Sequence, residues 1–157
     1  PWALDSIAMR NNYAAIPTNA PQAVAVEAGV EAAYNNNLGT YTMQNSIVDG
    51  PGIALKNDGL GFLTSGKNLF NVATVSGGTN TANITLSGTE ITATVPQFVS
   101  SSDFHLQNSS PAINVGATGL GVTNDLDSNP RPVGVGPDLG AYENQAVTAV
   151  NDWTIYS

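Results

Sequence analysis

From residue 35 to residue 143 the apolar residues of this chain come in short runs, each cut off by a cluster of Gly, Asn, Pro or Ser. Asn35-Asn36-Asn37, Asp49-Gly50-Pro51-Gly52, Lys56-Asn57-Asp58-Gly59 and the small residues from Ser76 to Thr81 are such clusters. These residue types accept positive φ, preset φ, or offer side-chain acceptors to a turn, so they end regular structure. The pieces between them read as strands: Ile53-Ala54-Leu55, Gly61-Phe62-Leu63 and Asn68 to Val72. Ile84, Leu86, Ile91, Ala93 and Val95 alternate with polar residues around a Ser87-Gly88 turn and are candidate core positions. Many short strands joined by tight turns define an all-β chain.

The N-terminal part carries a faint repeat. Ile7 to Tyr13 and Thr42 to Val48 each read as a strand running into an Asn turn. At an offset of 34, Met9 matches Met43, Asn11 matches Asn45 and Tyr13 matches Ile47. That period suits a stacked unit with an inserted loop. Stacking would bring Asn11 and Asn45 into one column, where amides can form a ladder. Ala23 to Tyr34 fits either element. Its alternation of Val24, Val26, Ala28 and Val30 suits a strand, while its alanines and Pro21 suit a helix. Like charges four apart at Glu27 and Glu31, and an internal Gly29, weigh toward the strand.

Composition narrows the setting. The 157 residues make one domain with room for a core. Only 10% of them are charged, against about 25% in ordinary domains. Asn, Thr, Ser and Gln must finish the surface, as in many extracellular β-proteins with flat faces. Twelve acids against four bases give a net charge of −8. This argues against nucleic acid and against anionic membrane surfaces as partners, since both need a basic patch. No apolar run approaches about 18 residues, so membrane insertion is not expected. Without cysteine there is no disulfide, zinc thiolate or thiol nucleophile. A start at Pro1-Trp2, with no leader and no methionine, is expected of a mature, cleaved or partial chain.

The segment from Asp103 to Glu143 is the most informative. Phe104 and Leu106 alternate with His105 and Gln107, the period of a half-buried strand. Ser109-Ser110-Pro111 punctuates it, and Ala112-Ile113-Asn114-Val115 reads as a second short strand ended by Gly116. Asn129-Pro130-Arg131-Pro132 cannot lie inside a helix or central strand. Arg131 sits among carboxylates at 125, 127, 138 and 143. A guanidinium has five donors in a fixed fork, so Arg131 is expected to staple the loops, with Asp138 or Glu143 as its partner.

Phe104-His105-Leu106-Gln107 with Ser110 to Gly116, and Asp125 to Pro132 with Asp138-Leu139-Gly140-Ala141-Tyr142-Glu143, resemble the terminal segment of secreted bacterial right-handed parallel β-helix proteins, the region known as a choice-of-anchor Q domain. The likeness covers about a quarter of the chain and extends loosely to Asn45–Val48 and Gly66–Leu69. It implies an all-β right-handed parallel β-helix of a few coils over residues 1–143. Residues 103–143 would be a Pro- and Gly-rich cap over its open sheet edge. A β-sandwich is the alternative fold. The resemblance also implies a place outside the cell, but no reaction.

The chain's end carries a second resemblance. Asn151-Asp152-Trp153-Thr154-Ile155-Tyr156-Ser157 resembles the opening of the C-terminal sorting domain of Bacteroidetes type IX secretion cargo. It implies passage across the outer membrane to the cell surface or beyond, with residues 144–157 a linker and the start of that domain.

Four kinds of site are open. Asp125, Asp127 and Asn129 present the alternating oxygens of a calcium loop, but Pro130 follows and no Glu stands at the twelfth position. The same residues suit a turn in which Asp and Asn accept backbone donors. His105 with Asp103 on the same strand face could act as an acid/base pair, although no nucleophile is recognisable. Glycoside hydrolysis needs two opposed carboxylates, for which Glu27 with Glu31, or Asp49 with Asp58, can be drawn. Trp2, Tyr13, Tyr34, Tyr41, Phe62 and Phe70 are candidate stacking groups for polysaccharide. The expected function is a non-enzymatic, adhesive or glycan-contacting module, the C-terminal part of a longer secreted protein. Its expected partners are polysaccharide, secretion machinery, or another chain stacked on the N-terminal coil. The alternatives are the end of a polysaccharide lyase or hydrolase whose active site lies upstream, and a structural subunit of an extracellular assembly.

Overall fold

The computed structural model describes residues 40–146 and, before them, the backbone of three strands at 6–10, 13–15 and 24–28. The strands are β1 (Ser6–Arg10), β2 (Tyr13–Ala15), β3 (Val24–Ala28), β4 (Thr40–Gln44), β5 (Ile47–Asn57), β6 (Phe62–Gly66), β7 (Leu69–Gly77), β8 (Ile84–Leu86) and β9 (Ile91–Thr92). Among the described residues the only helical piece is a single 3-10 turn at Thr81–Asn83. The chain is all-β. The segment from Ala23 that suited either element contains a strand, β3, and its later residues from 29 to 39 lie outside the described ones.

The strands form two sheets, ordered β1-β4-β6-β8 and β2-β5-β7-β9, with β3 also on β5. Every pair is parallel. The chain alternates between the sheets, and each pass pairs with the pass before it. Met9 stands opposite Met43 and Tyr13 opposite Ile47, the offset of 34 read from the sequence. The next pass is shorter: Ile47 pairs with Leu69 and Leu69 with Ile91, an offset of 22.

A two-residue corner joins β4 to β5 and β6 to β7. Asn45 and Lys67 hold equivalent corner positions with φ of 51° and 50°. Asn tolerates this left-handed conformation, whereas Lys67 is strained there by roughly 1–2 kcal/mol. Asn68, fully buried, offsets that strain by tying the corners together. Its Oδ1 accepts from Ser46 N at 2.8 Å, and its Nδ2 donates to Met43 O at 2.9 Å and Ser65 Oγ at 2.8 Å. The expected amide column took another form. Asn11 lies outside the described residues, and the next pass has Lys67 below Asn45. The amide that links corners is Asn68, one position along.

Side-chain alternation gives the second sheet two buried faces at its start. Val48 and Phe70 point inward, with Met43, Ala54, Leu55 and Leu63. Their neighbours Ile47 and Leu69 point outward, and are covered by Leu106, Ala112 and Leu139 from the terminal stretch. Parallel strands covered on both sides carry consecutive apolar residues, as Ile47-Val48 and Leu69-Phe70 do.

Several local expectations are corrected. Asp49-Gly50-Pro51-Gly52 is not a turn but the middle of β5. The register against β7 moves from Gly50–Val72 to Ile53–Thr74, so β5 carries one extra residue there. A bulge accommodates Pro51, which has no N–H to give a ladder, and Gly50 at φ 136°. It also separates the part of β5 that pairs with β2 from the part that pairs with β3. Phe104 to Leu106 is not a strand; Leu106 makes one isolated antiparallel bridge to Phe98. Ala112 to Val115 is not a strand: Ala112 to Asn114 lie in a turn in which Ser110 takes two amides, Ala112 N donating to Ser110 Oγ at 3.1 Å and Ile113 N to Ser110 O at 3.3 Å. Of the candidate core, Ile84 and Ile91 pack against buried clusters, while Leu86, Ala93 and Val95 are exposed. Leu86 has the inward register of Ser65, but β8 is the last strand of its sheet and nothing stacks beyond it among the described residues.

The terminal stretch was expected to cap that open edge. It instead runs back along the flank of the sheets to the Asn45 corner. Gly140 N donates to Asn45 O at 2.8 Å, and the Asn45 amide exchanges two bonds with Ala117, at 2.7 and 2.8 Å. The outward apolar residues Ile47, Leu69 and Ile91 needed cover, and this is where they stand.

Candidate functional site

The chemistry-bearing side chains gather in residues 103–144. The Asn124–Pro130 bridge closes a turn in which Asp125 N donates to Asn129 O at 2.9 Å. The Asp125 carboxylate fills that turn. Its Oδ1 accepts from Asp127 N at 3.0 Å and Asn129 N at 2.8 Å, and its Oδ2 from Glu143 N at 3.1 Å. Burial alone would raise this carboxyl, but the N–H donors of Glu143, Asn129 and Asp127 outweigh it and hold the pKa below the ordinary value. The candidate calcium ligands are thus divided. Asp125 faces backbone donors, the Asn129 side-chain amide turns its Nδ2 toward Asp125 at 3.5 Å, and Asp127 reaches His105. Among the described residues, no three His, Cys, Asp or Glu side chains are gathered as metal ligands.

Arg131 lies behind this turn with its side chain 1% exposed, and its Nε donates to Glu143 Oε2 at 2.8 Å. Its Nη1 donates to Gly140 O at 3.0 Å. Glu143 also accepts from Asp138 N at 3.0 Å and Val133 N at 2.7 Å. One buried carboxylate therefore holds three separate points of the loop. Asp138, the other partner considered, takes backbone donors instead: Asn114 N and Asn144 N, both at 2.7 Å. Burial raises its pKa, against the pull of those two N–H groups. Asn144, which the sequence places in the connector, belongs to the stretch, since its Nδ2 also donates to Leu106 O at 2.9 Å. A cavity of ≈ 250 Å³ lies between the Arg131 loop, residues 117–123 and the Asn45 corner.

His105 sits on the outer side. Its Nδ1 is 2.5 Å from Asp103 Oδ1 and its Nε2 is 2.8 Å from Asp127 Oδ2. The Tyr142 ring lies against it, centroids 4.0 Å apart. The hydrogen bond to Asp103, then that to Asp127, raises the imidazole pKa, and the bond to His105 lowers that of Asp103. An imidazolium held between two carboxylates has no free nitrogen to take a proton from a substrate.

Of the drawn carboxylate pairs, Asp49 and Asp58 each hold another partner. Asp49 accepts from Asn71 Nδ2 at 2.7 Å, and Asp58 pairs with Lys56 at 2.5 Å. Glu31, Trp2 and Tyr34 lie outside the described residues, as does the end from 147 to 157, while Glu27 and Tyr13 are placed only as members of β3 and β2. Phe70 is buried, Tyr41 packs against the core, and Phe62 stands 41% exposed. Phe62 shares the outward face of the first sheet with Thr40, Thr42, Thr64 and Thr85, which lie in register across β4, β6 and β8. Thr64 Oγ1 donates to Thr42 Oγ1 at 3.0 Å. No protein-family model matches the chain, and neither a curated protein nor a solved structure matches it.

Proposed function

We propose that the chain is a non-catalytic, glycan-contacting module of a secreted or cell-surface protein, built as a short right-handed parallel β-helix. The observation that carries the contact reading is the outward face of the first sheet. It offers a column of threonine hydroxyls beside an exposed aromatic, Phe62, on a rigid parallel ladder. Hydroxyls that donate and accept, with an apolar ring beside them, match the alternating polar and apolar faces of a sugar chain. The alternation of the chain between two parallel sheets supports the β-helix reading. The non-catalytic reading is supported by the ionisable groups, which are taken up in holding loops: Arg131 with Glu143, His105 with Asp103 and Asp127, Asp125 with its turn. The resemblance of residues 151–157 to a sorting domain supports reading the chain as part of a type IX secretion cargo. The test is affinity electrophoresis through a panel of neutral and acidic polysaccharides. At least one should retard the protein, and Phe62→Ala should weaken that binding about tenfold, about 1.4 kcal/mol. No retardation by any member, or an unaffected Phe62→Ala, would overturn the contact reading.

A further inference from the structure

In the terminal stretch no backbone bond joins residues 97–107 to the turn at 125–129. Residues 97–107 form a hairpin closed by the Phe98–Leu106 bridge, by Val99 N to His105 O at 2.9 Å and by Gln107 N to Gln97 O at 2.9 Å. The 125–129 turn is a separate loop with its own closing bonds. His105 spans the two. One ring nitrogen faces Asp103 on the hairpin, the other Asp127 on the turn. Both acceptors are carboxylates, which have no proton to give when ionised. The two contacts can therefore both be hydrogen bonds only if both ring nitrogens carry protons. A neutral imidazole has one N–H, so one contact would set a ring lone pair against a carboxylate oxygen.

We propose that His105 is a protonation-dependent clasp that fastens the 97–107 hairpin to the 125–129 turn when charged and lets them part when neutral. The surroundings favour the charged form from each side. Asp103 and Asp127 supply two negative charges in contact, and the Tyr142 ring covers one face as a partner for a cation. Glu143 lines the same depression with His105, but it is buried and bonded to Arg131. The raised imidazole pKa fits this arrangement. The clasp's contribution to stability is present in full below the unfolded imidazole value of 6.5, and it disappears as pH rises through the higher folded value. At the acid end it fails as Asp103 protonates, below its ordinary 3.8 because the folded carboxyl is depressed. The clasp thus holds in mildly acidic surroundings and opens as pH rises past the raised imidazole value, leaving the buried Arg131–Glu143 pair intact.

His105 is the single histidine of the chain, so one imidazole resonance reports it without assignment. The experiment follows that resonance by NMR against pH in the 157-residue protein, with amide hydrogen exchange of residues 97–107 and 125–129 at each pH. The expected result is a titration above pH 6.5, with exchange in both segments rising across the same range. Exchange is corrected for its intrinsic pH dependence by amides in β5 and β7. In His105→Gln the segments should exchange faster below pH 6.5 and lose that additional pH dependence. A titration at or below 6.5 overturns the proposal, as does a raised titration with no change in the two segments. Should His105→Gln fail to fold, Asp127→Asn, which leaves the hairpin's own bonds in place, must lower the titration and weaken the pH dependence. An unchanged titration in that variant also overturns it.

Discussion

Residues 40–95 and residues 96–146 are held together by different physics. In the first part, parallel ladders run between passes, and the inner cluster of Met43, Val48, Leu55, Leu63 and Phe70 is wholly apolar. Each pass leans on its neighbours, as in other stacked repeats. In the second part the described residues form two isolated bridges but no strand. Buried carboxylates and a buried guanidinium gather backbone N–H and C=O groups that no sheet satisfies. A loop can be packed against a sheet only if its backbone groups find partners. Here charged side chains provide them, so the flank depends on ionisation in a way the sheets do not.

The largest expected effects lie on either side of that division and should look different. Phe70→Ala opens a cavity in the inner cluster and should cost about 3–5 kcal/mol, seen as a lower denaturation midpoint with loss of protection across the strands. Arg131→Ala leaves Glu143 buried and unpaired, and should cost a similar 3–5 kcal/mol. Its loss of hydrogen-exchange protection should begin in residues 110–146 while β5 and β7 stay protected. If both variants lose protection in the same order, the two parts are one cooperative unit and the contrast fails.

A smaller effect tests the seam between them. Asn45 serves both parts: its φ of 51° makes the corner, and its amide holds Ala117. Asn45→Gly keeps the conformation and removes the two bonds, at a cost of about 1–2 kcal/mol. Asn45→Ala adds the left-handed strain of a Cβ residue, roughly 1 kcal/mol more. Equal stability of the two variants by urea denaturation would mean the corner conformation is not what Asn45 is needed for.

The smallest effect concerns calcium. Asp125 already accepts from three backbone amides, so the melting temperature should not move between millimolar calcium and chelator. A rise with calcium would show that Asp125 exchanges those donors for an ion, and that the flank is less self-sufficient than its bonds imply.

Strand character was legible because alternation is a local property: β1, β4, β6 and β7 follow runs that can be read without knowing their neighbours. The stacking of Met9 on Met43 and of Tyr13 on Ile47 was legible too, since equivalent positions in successive passes meet the same surroundings. Arg131 beside acids at 138 and 143 announced a buried charge needing a partner. Glu143 rather than Asp138 took the Nε contact for a reason absent from the sequence: Asp138 stands where Asn114 and Asn144 present their amides. The same limit hid the role of Asn45, whose partner is 72 residues away, and the bulge at Gly50-Pro51, where the pairing of β5 passes from β2 to β3. What the amino-acid order determined alone was which pieces are extended and which residues must be satisfied if buried. Which donor meets which acceptor, and that the terminal stretch lies on the flank instead of the open edge, was decided by tertiary structure. Ile47, Leu69 and Ile91 line up as an uncovered apolar column only after the passes have stacked.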